Sequence, residues 1–466
     1  MRARNSLSRV TSNNGQQAGV EGDFFMGPGV TDTMRKSQAI LAGQQKFVFP
    51  AVHPLYDEPL VLDEGKGTWV RDADGVEYLD LFSGILTTSV GHCNPHVVER
   101  SQKQMGRLGH TSTLYVTEPQ VEAAQRLAAI APGRMSQTFF TNSGTEAIET
   151  AIQMAFLHTG RSEIIALRQA YHGRSFLASN ITAVDVWRPL ATSFPGIKHT
   201  LTPYPYRCPF KQPCDESCSE AFANDLEDVI RTTTNGRPAA FIAESIMGVG
   251  GYIVPPPRYF ARVADIIRSH GGLFISDEVQ SGFGRSGKHW FAIEHSGVEP
   301  DIMVMAKGIA NGAPVGATIT RPEIAQSWKA KTISTFGGSP VSMAAAAATL
   351  EVMVEEDVPS RAEKRGSQLV RGLTELQEQH DWIGDVRGMG LMQALELVED
   401  RDSKTPSPRL AKALLEATKE EGLLIGLGGI YSHVIRLGPS LLINEREIAQ
   451  GLERLARACE RVDSIR

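Results

Sequence analysis

From Ser83 to Thr335 short apolar runs alternate with helix-length amphipathic stretches, and no other feature of the 466-residue chain narrows its fold as far. "QTFFTNSG" leads into "TEAIETAIQMAFLHTG"; "EIIALRQAYHG", "AAFIAESI", "GLFISDE", "PDIMVMAKG" and "GATITR" follow, with "RYFARVADIIRSHG" among them. Strands separated by helices predict an α/β fold with a mostly parallel sheet covered on both faces. Functional groups in such sheets gather beyond the carboxyl ends of the strands.

The flanks read differently. "LVLDEGKGTWVRDADGVEYLDL" has Gly-Lys-Gly and Asp-Gly turn signals between apolar alternations, which predicts short strands and turns. Beyond Ser342 a helical stretch precedes "RGMGLMQALELV" and "HVIRLGPSLLI", both expected as strands, and the amphipathic "EREIAQGLERLARACERV". The expected organisation is a flexible, polar arm over 1–45, a β segment over 46–82 packing with the small domain, a large domain over 83–340 and a small α+β domain over 341–466.

A formal net charge of −6 gives no electrostatic reason to expect nucleic acid or anionic lipid as a partner. The most apolar run, "MAAAAATLEVMV", is shorter than a membrane span and carries Glu351, so it reads as a buried helix and no membrane association is expected. Five scattered cysteines are too few, and of the wrong parity, for a disulfide framework. Cytoplasm is the expectation; Arg2, Arg4 and Arg9, ahead of any acidic residue, leave the mitochondrial matrix as the alternative.

One stretch demands a ligand. In "FISDEVQSGFGRSG" a buried-looking strand ends on Asp277 and Glu278, and carboxylates held away from water need cationic or hydrogen-bonding partners. "TFFTNSGTEAIETAI" turns from a strand through Asn142, Ser143 and Gly144 into a helix beginning at Thr145 and Glu146, an anion pocket suited to phosphate or, more plainly, a capped core helix. Thirty residues after Asp277, "PDIMVMAKG" ends on Lys307, which could snorkel to solvent or serve as a Schiff-base amine. A phosphate for the turn, an aldehyde for Lys307 and a protonated ring nitrogen for Asp277 together describe pyridoxal 5'-phosphate.

With "NSGTEAIETAI", "AYHGRS", "ISDEVQSGFGRSGKHWFAIEHSGVEPDIMVMAKGIANGAPVGA" and "STFGGSP", the chain resembles the class III pyridoxal-phosphate aminotransferases of fold type I, from about Pro54 to Arg461. The resemblance implies a seven-stranded large-domain sheet and a homodimer with active sites shared at the interface, leaving open whether dimers pair into tetramers. It implies that Lys307 holds the cofactor as a Schiff base and shuttles a proton, and that Asp277 pairs with the ring nitrogen. Val279 and Tyr171 would flank the ring, Gln280 would lie near its phenolic oxygen, and Ser143, Gly144 and Thr145 would bind the phosphate, with Thr335 reaching the neighbouring subunit's cofactor. His172 and Glu244 join the cofactor-binding set, Glu244 and Glu278 being also readable as groups that structure the site.

Arg436 in "HVIRLGPSLLI" wants a carboxylate, either an internal glutamate or, as the resemblance implies, that of the substrate. Phe82, with Ile85 and Leu86, is expected near the mouth of the substrate pocket. Glutamate-using members often read "EPIQGE"; here "ESIMGV" puts Ser245 for the proline and Val249 for the switching glutamate, and Ser339 stands where asparagine is usual. The implied reaction moves an amino group from alanine or an ω-amino acid, such as β-alanine or 3-aminoisobutyrate, to pyruvate or glyoxylate, as in the alanine–glyoxylate aminotransferase 2 and ω-amino acid:pyruvate group. The alternatives are a phospho-lyase acting on an amino-alcohol phosphate, an epimerase or a decarboxylase on the same scaffold.

"YRCPFKQPCDESC" holds Cys208, Cys214 and Cys218, with His199 upstream; the spacing lacks a zinc site's paired ligands, so a surface insert with reduced thiols and no metal is expected.

Overall fold

The computed structural model describes residues 36–189, 193–210 and 216–466. The segment up to Pro54 forms a unit by itself, in which Lys36–Phe47 is a helix with no buried residue, where the sequence suggests a flexible arm through residue 45.

From Leu55 onward the chain is one unit centred on a seven-stranded sheet. Its order is Gln137–Thr141, Gly316–Thr320, Ile302–Met305, Leu273–Asp277, Ala240–Glu244, Ile164–Leu167 and Ile197–Thr200. Only Gly316–Thr320 runs against its neighbours. The central strands are buried on both faces, and alternate side chains enter separate cores: Phe241, Phe274 and Met303 on one side, Ile242, Ile275 and Val304 on the other. Helix Gly144–Thr159 closes the second face with Ala147, Ile148, Ala151 and Ile152, and Tyr259–Ser269 closes the first with Phe260, Val263 and Ile267.

Two four-stranded sheets complete the unit. Leu62–Lys66, Trp69–Asp72 and Glu77–Asp80 form an antiparallel meander, and Glu77–Asp80 pairs in parallel with Leu423–Leu424. Ile383–Met389, Met392–Leu397, Val434–Leu437 and Gly426–Gly428 form the other, all antiparallel. The strand expected through "HVIRLGPSLLI" stops at Leu437. Gly438 N–H leaves the ladder to donate to the Leu81 carbonyl, and Pro439 has no N–H to continue it.

Helix Pro340–Glu355 carries the alanine run, and Met343 to Leu350 are all buried. Its Glu351 pairs with Arg126 and His96. Among the described residues no helix is long and apolar enough to cross a membrane.

Candidate active site

The carboxyl ends of five parallel strands meet at a cavity of about 320 Å³. Its lining includes Ser143, Gly144 and Thr145 after the first strand, Glu244 and Asp277 at the ends of two others, and Val279, Gln280 and Lys307 just beyond. Tyr171 and His172 come from the loop after Ile164–Leu167, and Gly312 to Val315 from the loop entering the antiparallel strand.

The turn at Ser143 follows from local chemistry. Ser143 Oγ accepts the Glu146 N–H at 3.2 Å, and Glu146 Oε2 accepts from the main chain and side chain of Asn142 at 2.8 and 3.0 Å. These bonds fix the start of a 16-residue helix whose first N–H groups border the cavity. Gly316 is required alongside, because a Cβ there would overlap the Ser143 carbonyl and the Thr141 hydroxyl.

The two carboxylates that end the apolar strand part company. Asp277 lines the cavity, with Oδ2 at 2.7 Å from His172 Nδ1 and Oδ1 accepting the Val279 N–H at 3.0 Å. Glu278 points into the core, where Ser245 (2.7 Å), Ser281 (2.6 Å), Ile293 N–H (2.8 Å) and Ala292 N–H (3.2 Å) donate to it. Burial raises the Glu278 pKa, and these donors pull it back.

Lys307 reaches the cavity from a left-handed backbone position, φ 48°. Burial lowers its pKa, while Asp277 and Glu244 favour its charged form and Arg436 opposes it. Glu244 is raised to about 7, first by burial and then by Asp277, against the pull of His172 and two main-chain N–H groups.

Arg436 is buried without a carboxylate: none of the ion pairs among the described residues includes it. Its Nε and Nη2 donate to the Leu427 carbonyl at 3.1 and 2.8 Å and its Nη1 to the Gly248 carbonyl at 3.3 Å. The guanidinium lies 5.2 Å from the Phe82 ring centroid and 5.6 Å from that of Tyr252. The internal salt bridge weighed from sequence is therefore not there. Phe82 packs on Arg436 and is not among the residues that line the cavity. After Phe82 the backbone turns left-handed over four residues, Ser83 to Leu86, with φ between 53° and 65°. Asp80 accepts the N–H groups of Phe82 and Ser83 at 2.8 Å each and bonds His92, which holds this costly conformation. Nothing in the sequence of that turn announces it.

The cavity suits pyridoxal phosphate on two observations: a helix start with free N–H groups lies across from a partly desolvated amine, and the Oε1 of Gln280 is buried without a partner.

Thr335 stands apart from this cavity, lining a different groove with Phe336 and Ile333. Cys208 and Cys218 lie 3.4 Å apart, sulfur to sulfur, while Cys214 falls outside the described residues. His199 bonds the Ile181 carbonyl instead of joining them, and no group of three metal-ligating side chains occurs among the described residues.

Residues 52–459 match the family model described as "Aminotransferase class-III". The alanine–glyoxylate aminotransferase 2 homolog 2, mitochondrial, of Arabidopsis thaliana is 42% identical over 406 residues, 87% of this chain and 84% of that protein. A thermostable (S)-enantioselective omega-transaminase from Thermomicrobium roseum superposes with a TM-score of 0.85 at 32% identity, over 92% of this chain and all of that one. An amine transaminase from an uncultivated Pseudomonas species, solved in its PLP-bound form, gives 0.83 at 31% identity, over 88% and 98%.

Proposed function

This chain belongs to the class-III aminotransferases, and from that premise we propose that it moves an amino group from alanine or an ω-amino acid to glyoxylate or pyruvate. It is an enzyme of the pyridoxal-phosphate class, with an amino donor and an oxo-acid acceptor as substrates. The observation that carries the acceptor is Arg436, a buried guanidinium held by carbonyls and aromatic faces, with no carboxylate of its own. Val249 stands where a switching glutamate would compete for it, so no carboxylate at that position would hold the arginine away from a small oxo acid, although Arg436 is buried and not itself among the residues that line the cavity.

When bound, pyridoxal phosphate supplies an electron-withdrawing ring that eases loss of the proton at the substrate's Cα. The chain's part is placement and proton transfer. Ser143, Gly144 and Thr145 would hold the phosphate, and Val279 and Tyr171, which line the same cavity, would flank the ring. Asp277, oriented by His172, would pair with the ring nitrogen. Gln280, whose Oε1 is buried without a partner, would lie near the phenolic oxygen. Lys307 Nζ, its basicity reduced by burial, takes and returns the Cα proton.

A homodimer completes this reading. Leu114, Val116 and Phe336 are 72%, 87% and 62% exposed on one surface, joined by the Thr113 to Ser334 main-chain bond, and Thr335 lies among them. A second copy covering that surface would receive Thr335 at its own phosphate. The compartment is reducing, either cytoplasm or mitochondrial matrix, and cell fractionation separates the two.

Steady-state rates with pyruvate, glyoxylate and 2-oxoglutarate test the acceptor. A clear preference for 2-oxoglutarate overturns it, and phosphate release from an amino-alcohol phosphate without any oxo acid would favour the lyase alternative.

A further inference from the structure

Three parts of the site meet at Gly248. Its N–H donates to Glu244 Oε2 at 2.8 Å, and its carbonyl accepts Arg436 Nη1 at 3.3 Å. Its bare Cα faces the Gln280 side chain so closely that a Cβ there would overlap the amide. The second oxygen of Glu244 accepts the Tyr171 N–H at 2.9 Å. One carboxylate thus ties the main chain at Tyr171 to the main chain that seats Arg436.

Glu244 is fully enclosed, stands in register with Asp277 on the neighbouring strand, and forms no ion pair among those of the described residues. A buried carboxylate with only two main-chain donors is a poor source of stability. Its geometry fits a different task. The Leu427 carbonyl takes two of the Arg436 donors, leaving the direction of the Nη1 arm to the Gly248 carbonyl. The Gly248 carbonyl can turn only as far as its own peptide moves, and Glu244 anchors the N–H of that residue.

We propose that Glu244 is a positioning residue for the substrate carboxylate: through Gly248 it fixes the Arg436 guanidinium on one side and keeps the space for the Gln280 amide on the other. The proposal rests on Arg436 binding the carboxylate, as argued above. Protein size and shape at the site are preserved in Glu244→Gln, which keeps one acceptor oxygen but turns an amide NH2 toward a main-chain N–H.

The test uses the holoenzyme and two readouts: KM and kcat for the oxo acid, and the inhibition constant of propanoate, a monocarboxylate that cannot react. Glu244→Gln should raise KM and the propanoate constant about tenfold, each by more than it lowers kcat, in a variant that still folds cooperatively. Gly248→Ala, which pushes on Gln280 and the same peptide, should give the same pattern, and the double variant should add little to either. If Glu244→Gln does not fold, Gly248→Ala alone decides. An unchanged propanoate constant in the folded variants overturns the proposal, as does a collapse of kcat at constant propanoate affinity, or a wild type that propanoate does not inhibit. A wild type that ignores pyruvate and glyoxylate but is inhibited by propanoate sinks the acceptor assignment only, and the Glu244 comparison still stands.

Discussion

His172 Nδ1 lies 2.7 Å from Asp277 Oδ2, both side chains buried, so the imidazole fixes the one carboxylate that faces the cavity at the end of the central strand. Among the described residues only the Val279 N–H shares that duty. In His172→Phe the carboxylate loses a charge-assisted bond, and turnover should fall roughly 10- to 100-fold. The pH titration of the bound cofactor's visible absorbance should move with it; a titration identical to the wild type would mean that His172 does not govern Asp277.

Lys307 has no substitute among the cavity residues, since no other lysine lines it. Lys307→Ala should lose ~10³-fold or more in turnover. Borohydride treatment followed by intact-mass measurement should add the cofactor's mass to the wild type and nothing to the variant. A variant that still gains the mass would place the covalent link elsewhere.

Arg436 offers a planar fork, and lysine cannot reproduce it. Arg436→Lys should raise KM for the oxo acid about 10- to 100-fold while kcat at saturation changes far less. Equal losses in both constants would show that the guanidinium acts mainly in the chemical step.

Glu244 makes stability depend on pH with a defined sign. Its pKa is raised from 4.5 to about 7 by burial, so the folded protein keeps a proton that the unfolded chain releases. The favourable contribution is whole below pH 4.5 and is lost as pH rises through about 7. Urea unfolding of the cofactor-free protein should therefore show Glu244→Gln gaining about 1–3 kcal/mol on the wild type between those limits. A difference that does not vary with pH would refute the shifted titration.

Much of this could be read from one strand of text. Asp277 and Lys307 announced themselves because each closes a run of apolar residues, and a charged group at such a place is conspicuous. The residues alone did not part Asp277 from Glu278, which only the resemblance did, since the donors to Glu278 come from Ser245, Ser281 and a distant 3₁₀ turn, Ala292–Ser296. The left-handed turn after Phe82 was invisible for a related reason: Ser83, Ile85 and Leu86 have no preference for it, and Asp80 imposes it. The end of the Arg436 strand depended on a bond to Leu81, remote in the chain. What pattern conveys is which residues are forced inward; which neighbour each one meets is decided by topology.

The strand Gly316–Thr320, lying between Gln137–Thr141 and Ile302–Met305, imposes an order of events on the nascent polypeptide. Until Thr320 has emerged from the ribosome, Gln137–Thr141 has no strand to bond with, and the turn at Ser143, though capped by its own local bonds, is not yet anchored to the sheet. The half of the pocket encoded first is thus completed last, and a chain truncated before that strand should make helices yet never acquire a working cradle.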